Sequence, residues 1–181
     1  MKQFLTLNDL QNFDAQVALA KEIKANPYQY EELGKRKTLG LLFFNPSLRT
    51  RLSTQKAGRL LGMDVMVMNF SNEAWAIEYE DKTIMEGLRS EHVKEAAQVV
   101  SQYCDVVGIR AFATLTDKEK DESEQVLQKF IQYASVPILN MESATAHPLQ
   151  ALADALTLTE LTLPKKPKVV LTWAPHPKAL P

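Results

Sequence analysis

The sequence predicts an α/β fold, a parallel sheet flanked by helices, on three observations. The apolar runs Thr38 to Phe44, Asp64 to Met68, Asp105 to Ile109 and Val136 to Leu139 are short, rich in Val, Ile, Leu and Met, and do not alternate with polar residues. Strands buried on both faces read in this way. Helical patterns separate these runs, which is the β-α-β rhythm of a parallel sheet. The length of 181 residues at 45% hydrophobic content is enough to bury a core, and suits one domain or one domain with a fragment of another.

Taken in order, Thr6 to Ile23 reads as a helix, with Thr6 and Asp9 as a capping pair and Asn26-Pro27 as its stop. The strand Thr38 to Phe44 leads almost directly into a helix, Arg51 to Leu61, ended by Gly62. After the strand Asp64 to Met68, a helix over Ser90 to Tyr103 sets Val93, Ala97 and Val100 on one face. The strand Asp105 to Ile109 precedes a helix over Glu122 to Ala134, whose apolar positions include Val126, Phe130 and Ile131. The strand Val136 to Leu139 is followed by a helix from about His147 to Leu161. A Pro- and Lys-rich connector, Leu163 to Lys168, then introduces a strand at Val169 to Trp173. A strand that opens a sheet without a partner predicts an N-terminal portion of a longer protein. The expected organisation is a first domain over residues 1–146, a linking helix and connector over 147–166, and the first strand of a second α/β domain over 167–181.

Composition limits the function classes. With 21 basic and 22 acidic residues, the formal net charge of -1 gives no global field for nucleic acid or an anionic membrane, so an anion site has to be local. Cys104 is the only cysteine, which excludes an intrachain disulfide framework and a multi-cysteine zinc site. The N-terminus lacks a signal-peptide core, and no run approaches the roughly 20 apolar residues of a membrane span. A soluble, cytoplasmic protein is expected.

The most informative stretch is Phe43-Phe44-Asn45-Pro46-Ser47-Leu48-Arg49-Thr50-Arg51. In an open parallel sheet, ligands bind outside the carboxyl ends of the strands. A helix beginning there offers free N–H groups and a positive dipole end. With the hydroxyls of Ser47 and Thr50 and the fork of Arg49, this makes an oxyanion cradle suited to phosphate. Ser47 as a plain helix cap beside solvated arginines remains the alternative. Arg110 follows a second strand directly, and His147 and Gln150, three apart around Pro148, share the N-terminal face of a helix after the fourth. Arg110 as surface decoration and His147 as a simple cap stay open, but three rim segments bearing such groups favour a shared site. No metal is implied, since no His/Asp/Glu cluster has ligand spacing.

Ser47-Leu48-Arg49-Thr50-Arg51 resembles the carbamoyl phosphate signature of the aspartate and ornithine carbamoyltransferases, and His147-Pro148-Leu149-Gln150 resembles their His-Pro-x-Gln signature, with Arg110 between them. Leu48 stands where that family usually has Thr. This departure, with Phe44-Asn45, Glu73-Ala74-Trp75, Asn140-Met141-Glu142 and Thr172-Trp173-Ala174-Pro175-His176-Pro177, is similar to the acylornithine branch, the N-acetylornithine and N-succinylornithine carbamoyltransferases.

The resemblance implies a carbamoyl phosphate domain that needs no cofactor and works in arginine biosynthesis. Ser47, Arg49, Thr50 and the backbone near Leu48 would hold phosphate. Thr50, Arg110 and His147 would polarise the carbamoyl oxygen, and Gln150 would orient the carbamoyl NH2. It also implies a homotrimer with shared sites, in which Trp75 reaches a neighbour's donor; an exposed loop tryptophan or a simple interface residue is the alternative. Glu142 and His176 match positions that contact the acylated amino acid. Acetyl-specific members tend to carry glutamate where this sequence has Ser90, so N-succinylornithine is the expected acceptor over N-acetylornithine. Two rivals remain: a transferase acting on free ornithine or aspartate, and a carbamoyl phosphate-binding module without catalysis.

Overall fold

The computed structural model describes residues 3–70, 76–162, 164, 166–170 and 172. In chain order its elements are β1 (Gln3–Phe4), α1 (Phe13–Ala25), β2 (Thr38–Phe43), α2 (Arg49–Leu60), β3 (Asp64–Asn69), β4 (Ile77–Glu78), β5 (Glu91–His92), α3 (Val93–Tyr103), β6 (Val106–Arg110), α4 (Lys118–Glu122), α5 (Gln125–Tyr133), β7 (Ile138–Glu142) and α6 (Pro148–Glu160). The expected α/β architecture is present. A five-stranded sheet runs in the order β1-β7-β6-β2-β3 with every pairing parallel, and β4 pairs with β5 beside it.

Strand β2 is an interior strand between β6 and β3, and Leu39 to Phe43 are all buried, as a run without alternation requires. One face of the sheet packs Leu42, Val107, Ile109 and Ile138 against Val93, Ala97 and Val100 of α3 and Leu127 and Phe130 of α5. The other gathers Leu39, Leu41, Phe43 and Met141 with Met63, Val65 and Leu149. Helix α1 meets α6 at the ion pair Lys24–Glu160, 2.7 Å.

From β2 the chain crosses to β3 on one side, while β6 leads to β7 on the other, so the order reverses between β2 and β6. Side connections diverge at such a point and leave a crevice at the carboxyl ends. The Phe43 to Arg51 turn and Arg110 open onto that crevice, with Phe43 in register with Arg110.

Several expectations are corrected. The helix expected over Thr6 to Ile23 is two elements. Thr6 and Asp9 do form a capping box, but around a 3-10 turn, Leu7–Asp9; Leu10 is extended, and Asn12 caps α1 from the Ala15 N–H at 3.0 Å. The helix expected from Ser90 begins at Val93, because Glu91 and His92 pair with β4 and the His92 ring accepts the Lys94 N–H at 3.1 Å. The helix over Glu122 to Ala134 is divided into α4 and α5 by Glu124, whose backbone is left-handed. The fourth strand runs from Ile138 to Glu142 rather than Val136 to Leu139, so Asn140, Met141 and Glu142 are strand residues. Of the strand expected over 169–173, Val169, Val170 and Thr172 carry no strand pairing, and the rest lies outside the described residues. Short β1, β4 and β5 were not anticipated.

Candidate active site at the strand ends

Where β2 ends, the Phe44 N–H bonds to the Arg110 carbonyl at 2.9 Å. The chain then turns through Asn45 to Leu48 into α2. Its N-cap position is Leu48, which provides no side-chain cap, so Ser47 is not a simple cap, and Leu48, Arg49 and Thr50 at the head of the helix line the cleft. Asn45 anchors the turn: its side-chain oxygen accepts the Phe112 N–H at 2.6 Å. The two arginines of the turn part company. Arg49 lines the cleft, exposed and without an ion-pair partner among the described residues, whereas Arg51 donates to Asn69 at 3.0 Å and is tied to the end of β3. Gly62 (φ 74°) lets the chain reverse after α2.

The end of β6 brings Arg110 under the same turn. Its Nε donates to Glu142 Oε2 at 2.8 Å, its Nη2 lies 2.8 Å from the same oxygen, and its Nη1 donates to the carbonyls of Asn45 at 3.3 Å and Pro46 at 3.2 Å. Five N–H donors set against these four contacts leave one for a ligand oxygen. Glu142 reaches this position because of an irregularity in the β6–β7 ladder. Ile109 is in register with Asn140 but Arg110 with Glu142, a bulge that levels the carboxylate with the guanidinium.

His147 is the N-cap of α6 and Pro148 its first residue. Its Nδ1 accepts the Gln150 N–H at 3.4 Å, which leaves the proton on Nε2 when the ring is neutral. Burial is the largest influence on its pKa and lowers it; the Glu142 carboxylate, 4.0 Å away, opposes that and Arg110 adds to it. The arrangement presents a neutral imidazole with a donor Nε2–H. Gln150 donates its side-chain amide to Asp154 at 2.8 Å, so its carboxamide is already oriented along α6.

These groups share one open cleft of about 1130 Å³, lined by Ser47, Arg49, Thr50, Arg110, Glu142, His147 and Gln150 among others. Leu48 also lines it and is 74% exposed. Ser90 does not. It is exposed on the segment that joins β4 to β5, outside the cleft wall formed by this chain. Trp75 and His176 lie outside the described residues. Asn45 is the site residue whose role the sequence did not disclose; its place directly before the Ser47 to Arg51 turn was the available signal.

The fold and cleft define an α/β domain of the open-sheet class, with its cleft at the switch point and the basic or imidazole groups of Arg49, Arg110 and His147 around it. Residues 2–160 match the family model described as aspartate/ornithine carbamoyltransferase, carbamoyl-P binding domain, and the chain belongs to that family. It is 48% identical over 181 residues to the N-succinylornithine carbamoyltransferase of Bacteroides thetaiotaomicron, which covers 100% of this chain and 57% of that protein. To the N-acetylornithine carbamoyltransferase of Xanthomonas campestris pv. campestris it is 41% identical over 185 residues, 99% of this chain and 54% of the relative. An acetylornithine transcarbamylase solved with acetylcitrulline has a similar structure, with a TM-score of 0.82 at 41% identity over 88% of this chain and 48% of that one. A variant of N-acetyl-L-ornithine transcarbamylase with one glutamate replaced by serine has been solved with carbamyl phosphate and N-succinyl-L-norvaline. The chain thus spans little more than half the length of these curated relatives.

Proposed function

We propose that the protein carrying this chain transfers a carbamoyl group from carbamoyl phosphate to the side-chain amine of an N-acylated ornithine, with N-succinylornithine preferred to N-acetylornithine. The observation that carries this reading is the convergence of Ser47, Arg49 and Thr50 with Arg110, His147 and Gln150 on one cleft. The turn and the α2 N-terminus suit the phosphate. The spare N–H of Arg110 and the Nε2–H of His147 suit the carbamoyl oxygen, with the Thr50 hydroxyl between the two groups. As the acceptor nitrogen attacks the carbamoyl carbon, negative charge grows on that oxygen, and fixed donors stabilise it more than the ground state. The bond from carbon to the phosphate oxygen then breaks, and the departing phosphate takes the amine proton. Acylcitrulline and phosphate result. Holding a labile donor beside the amine supplies much of the acceleration. Glu142 orients Arg110 and faces the space where an acceptor would enter.

The preference for a succinyl acceptor rests on Ser90. A glutamate there would repel a second carboxylate, and serine does not. It agrees with the solved serine-for-glutamate variant that holds N-succinyl-L-norvaline, and with identities of 48% and 46% to N-succinylornithine carbamoyltransferases against 41% to an N-acetylornithine enzyme. Because Ser90 lies outside this chain's own cleft, the reading includes a homotrimer in which the segment from Tyr79 to Ser90, with Trp75, completes a neighbour's site. Ile84 and Leu88 on that segment are 75% and 98% exposed, as a surface awaiting a partner subunit would be. Residues 1–146 then form the donor domain, 147–166 the link, and 167–181 the entry to an acceptor domain that includes His176. A cytoplasmic enzyme of arginine biosynthesis is the corresponding role.

The test is an acceptor screen on the full-length protein with carbamoyl phosphate and N-succinylornithine, N-acetylornithine, ornithine or aspartate. N-Succinylcitrulline should dominate. Faster turnover of free ornithine or aspartate, or none of any acceptor, would remove this reading.

A further inference from the structure

Glu124 stands outside the cleft and yet touches the turn that carries His147. Its backbone is left-handed (φ 49°, ψ 40°), an uncommon state for a residue with a Cβ, and one that persists where the surroundings enforce it. It occupies the N-cap position of α5 but makes no cap with its side chain. Instead Oε1 accepts the Thr145 N–H at 3.1 Å and the Thr145 hydroxyl at 2.7 Å. The carboxylate is thereby diverted from its own helix to a residue two positions before His147. From beneath, the same turn is fastened by buried groups. The Ser143 N–H donates to the Ala146 carbonyl at 2.9 Å, and Asn140 Nδ2 donates to Leu5 O and Ser143 Oγ at 3.0 Å each. Asn140 and Ser143 fix the floor of the turn, and Glu124 grips its outer edge.

We infer that Glu124 is a positioning residue for His147, acting through Thr145 and held in a strained backbone state for that purpose. The inference rests on the role given to His147 above. A loop that staples α5 to β7 for stability alone has no need of a left-handed glutamate, since a common N-cap such as serine or aspartate would start α5 without strain. What the strained geometry adds is a carboxylate aimed at both donors of Thr145.

The experiment compares Glu124→Gly, Glu124→Gln and His147→Ala in the full-length protein. Glycine relieves the left-handed backbone and removes the grip; glutamine keeps an acceptor oxygen in place. For Glu124→Gly the expected result is a fall in kcat of about tenfold, since misplacing a reacting group by about 1 Å can cost up to about a hundredfold. KM for carbamoyl phosphate should stay within about twofold, because the phosphate turn is held elsewhere, and Tm should be unchanged or higher. Glu124→Gln should restore kcat to within about twofold. The His147 ring resonances should shift in Glu124→Gly and not in Glu124→Gln, a readout that does not depend on turnover. Unmoved ring signals in Glu124→Gly would overturn the inference, as would a lower Tm with kcat and KM changing together. If His147→Ala keeps full activity, the catalytic reading of His147 fails, and the ring signals alone decide whether Glu124 places it.

Discussion

Glu142→Gln removes one charge from the cleft and keeps the side chain's shape. The carboxylate takes two contacts from Arg110 at 2.8 Å, and the two side chains are only 17% and 12% exposed. Hydrogen bonds to charged groups contribute about 1.5–3 kcal/mol, and a neutral acceptor at the same place keeps roughly half, so the variant should lose about 1–2 kcal/mol of stability. Truncation to alanine would approach the roughly 3–5 kcal/mol of an orphaned buried charge. Anion binding moves the other way. Like charges at an effective dielectric of about 20 repel by about 4 kcal/mol at 4 Å, and about a third of that in an open, water-filled cleft corresponds to tenfold. Inorganic phosphate should therefore bind about tenfold more tightly, measured by isothermal titration, while Tm falls. Turnover should fall as well, since Arg110 loses the contact that orients it. Weaker phosphate binding at unchanged Tm would refute the picture of a carboxylate that restrains Arg110 and opposes the anion.

The remaining predictions concern acyl choice, pH and assembly. Ser90→Glu should depress turnover of N-succinylornithine far more than that of N-acetylornithine; equal losses would show that position 90 does not read the acyl group. Burial lowers the His147 pKa below its ordinary value, so on acidification the unfolded chain takes the proton first. Stability should therefore fall as pH drops through about 6.5 and below, a slope that denaturant titrations should find reduced in His147→Gln. Light scattering should show this chain self-associating and its tryptophan fluorescence should respond to carbamoyl phosphate, while a citrulline assay on the chain alone gives no product. A strict monomer without a response would remove the shared-site model.

What was legible in the sequence was local in character. The unbroken apolar run of β2, the immediate turn into α2 and the His-Pro start of α6 each follow from a few adjacent residues, and all three are present. What was not legible depends on partners distant in sequence. Strands β4 and β5 are two residues each, and the segment between them is tied off by Glu78, which accepts Arg89 at 2.7 Å and the N–H groups of Tyr79 and Glu80 at 2.8 Å each. No periodicity announces such a pair. The bulge that lifts Glu142 beside Arg110 arises from ladder register, and the tie of Arg51 to Asn69, eighteen residues on, is a contact that local pattern does not reveal. The left-handed Glu124 interrupts a helical pattern that polar periodicity alone would carry through.

The central claim is that the turn after β2 binds the phosphate of carbamoyl phosphate, and Arg49 tests it most directly. It is exposed, lines the cleft and takes no part in the core, so Arg49→Ala should leave the fold intact. Isothermal titration of carbamoyl phosphate should show one saturable site on the parent protein and no measurable binding to Arg49→Ala, with the two circular dichroism spectra superimposable. Unchanged donor affinity in the folded variant would contradict the account and return Arg49 to the solvated surface.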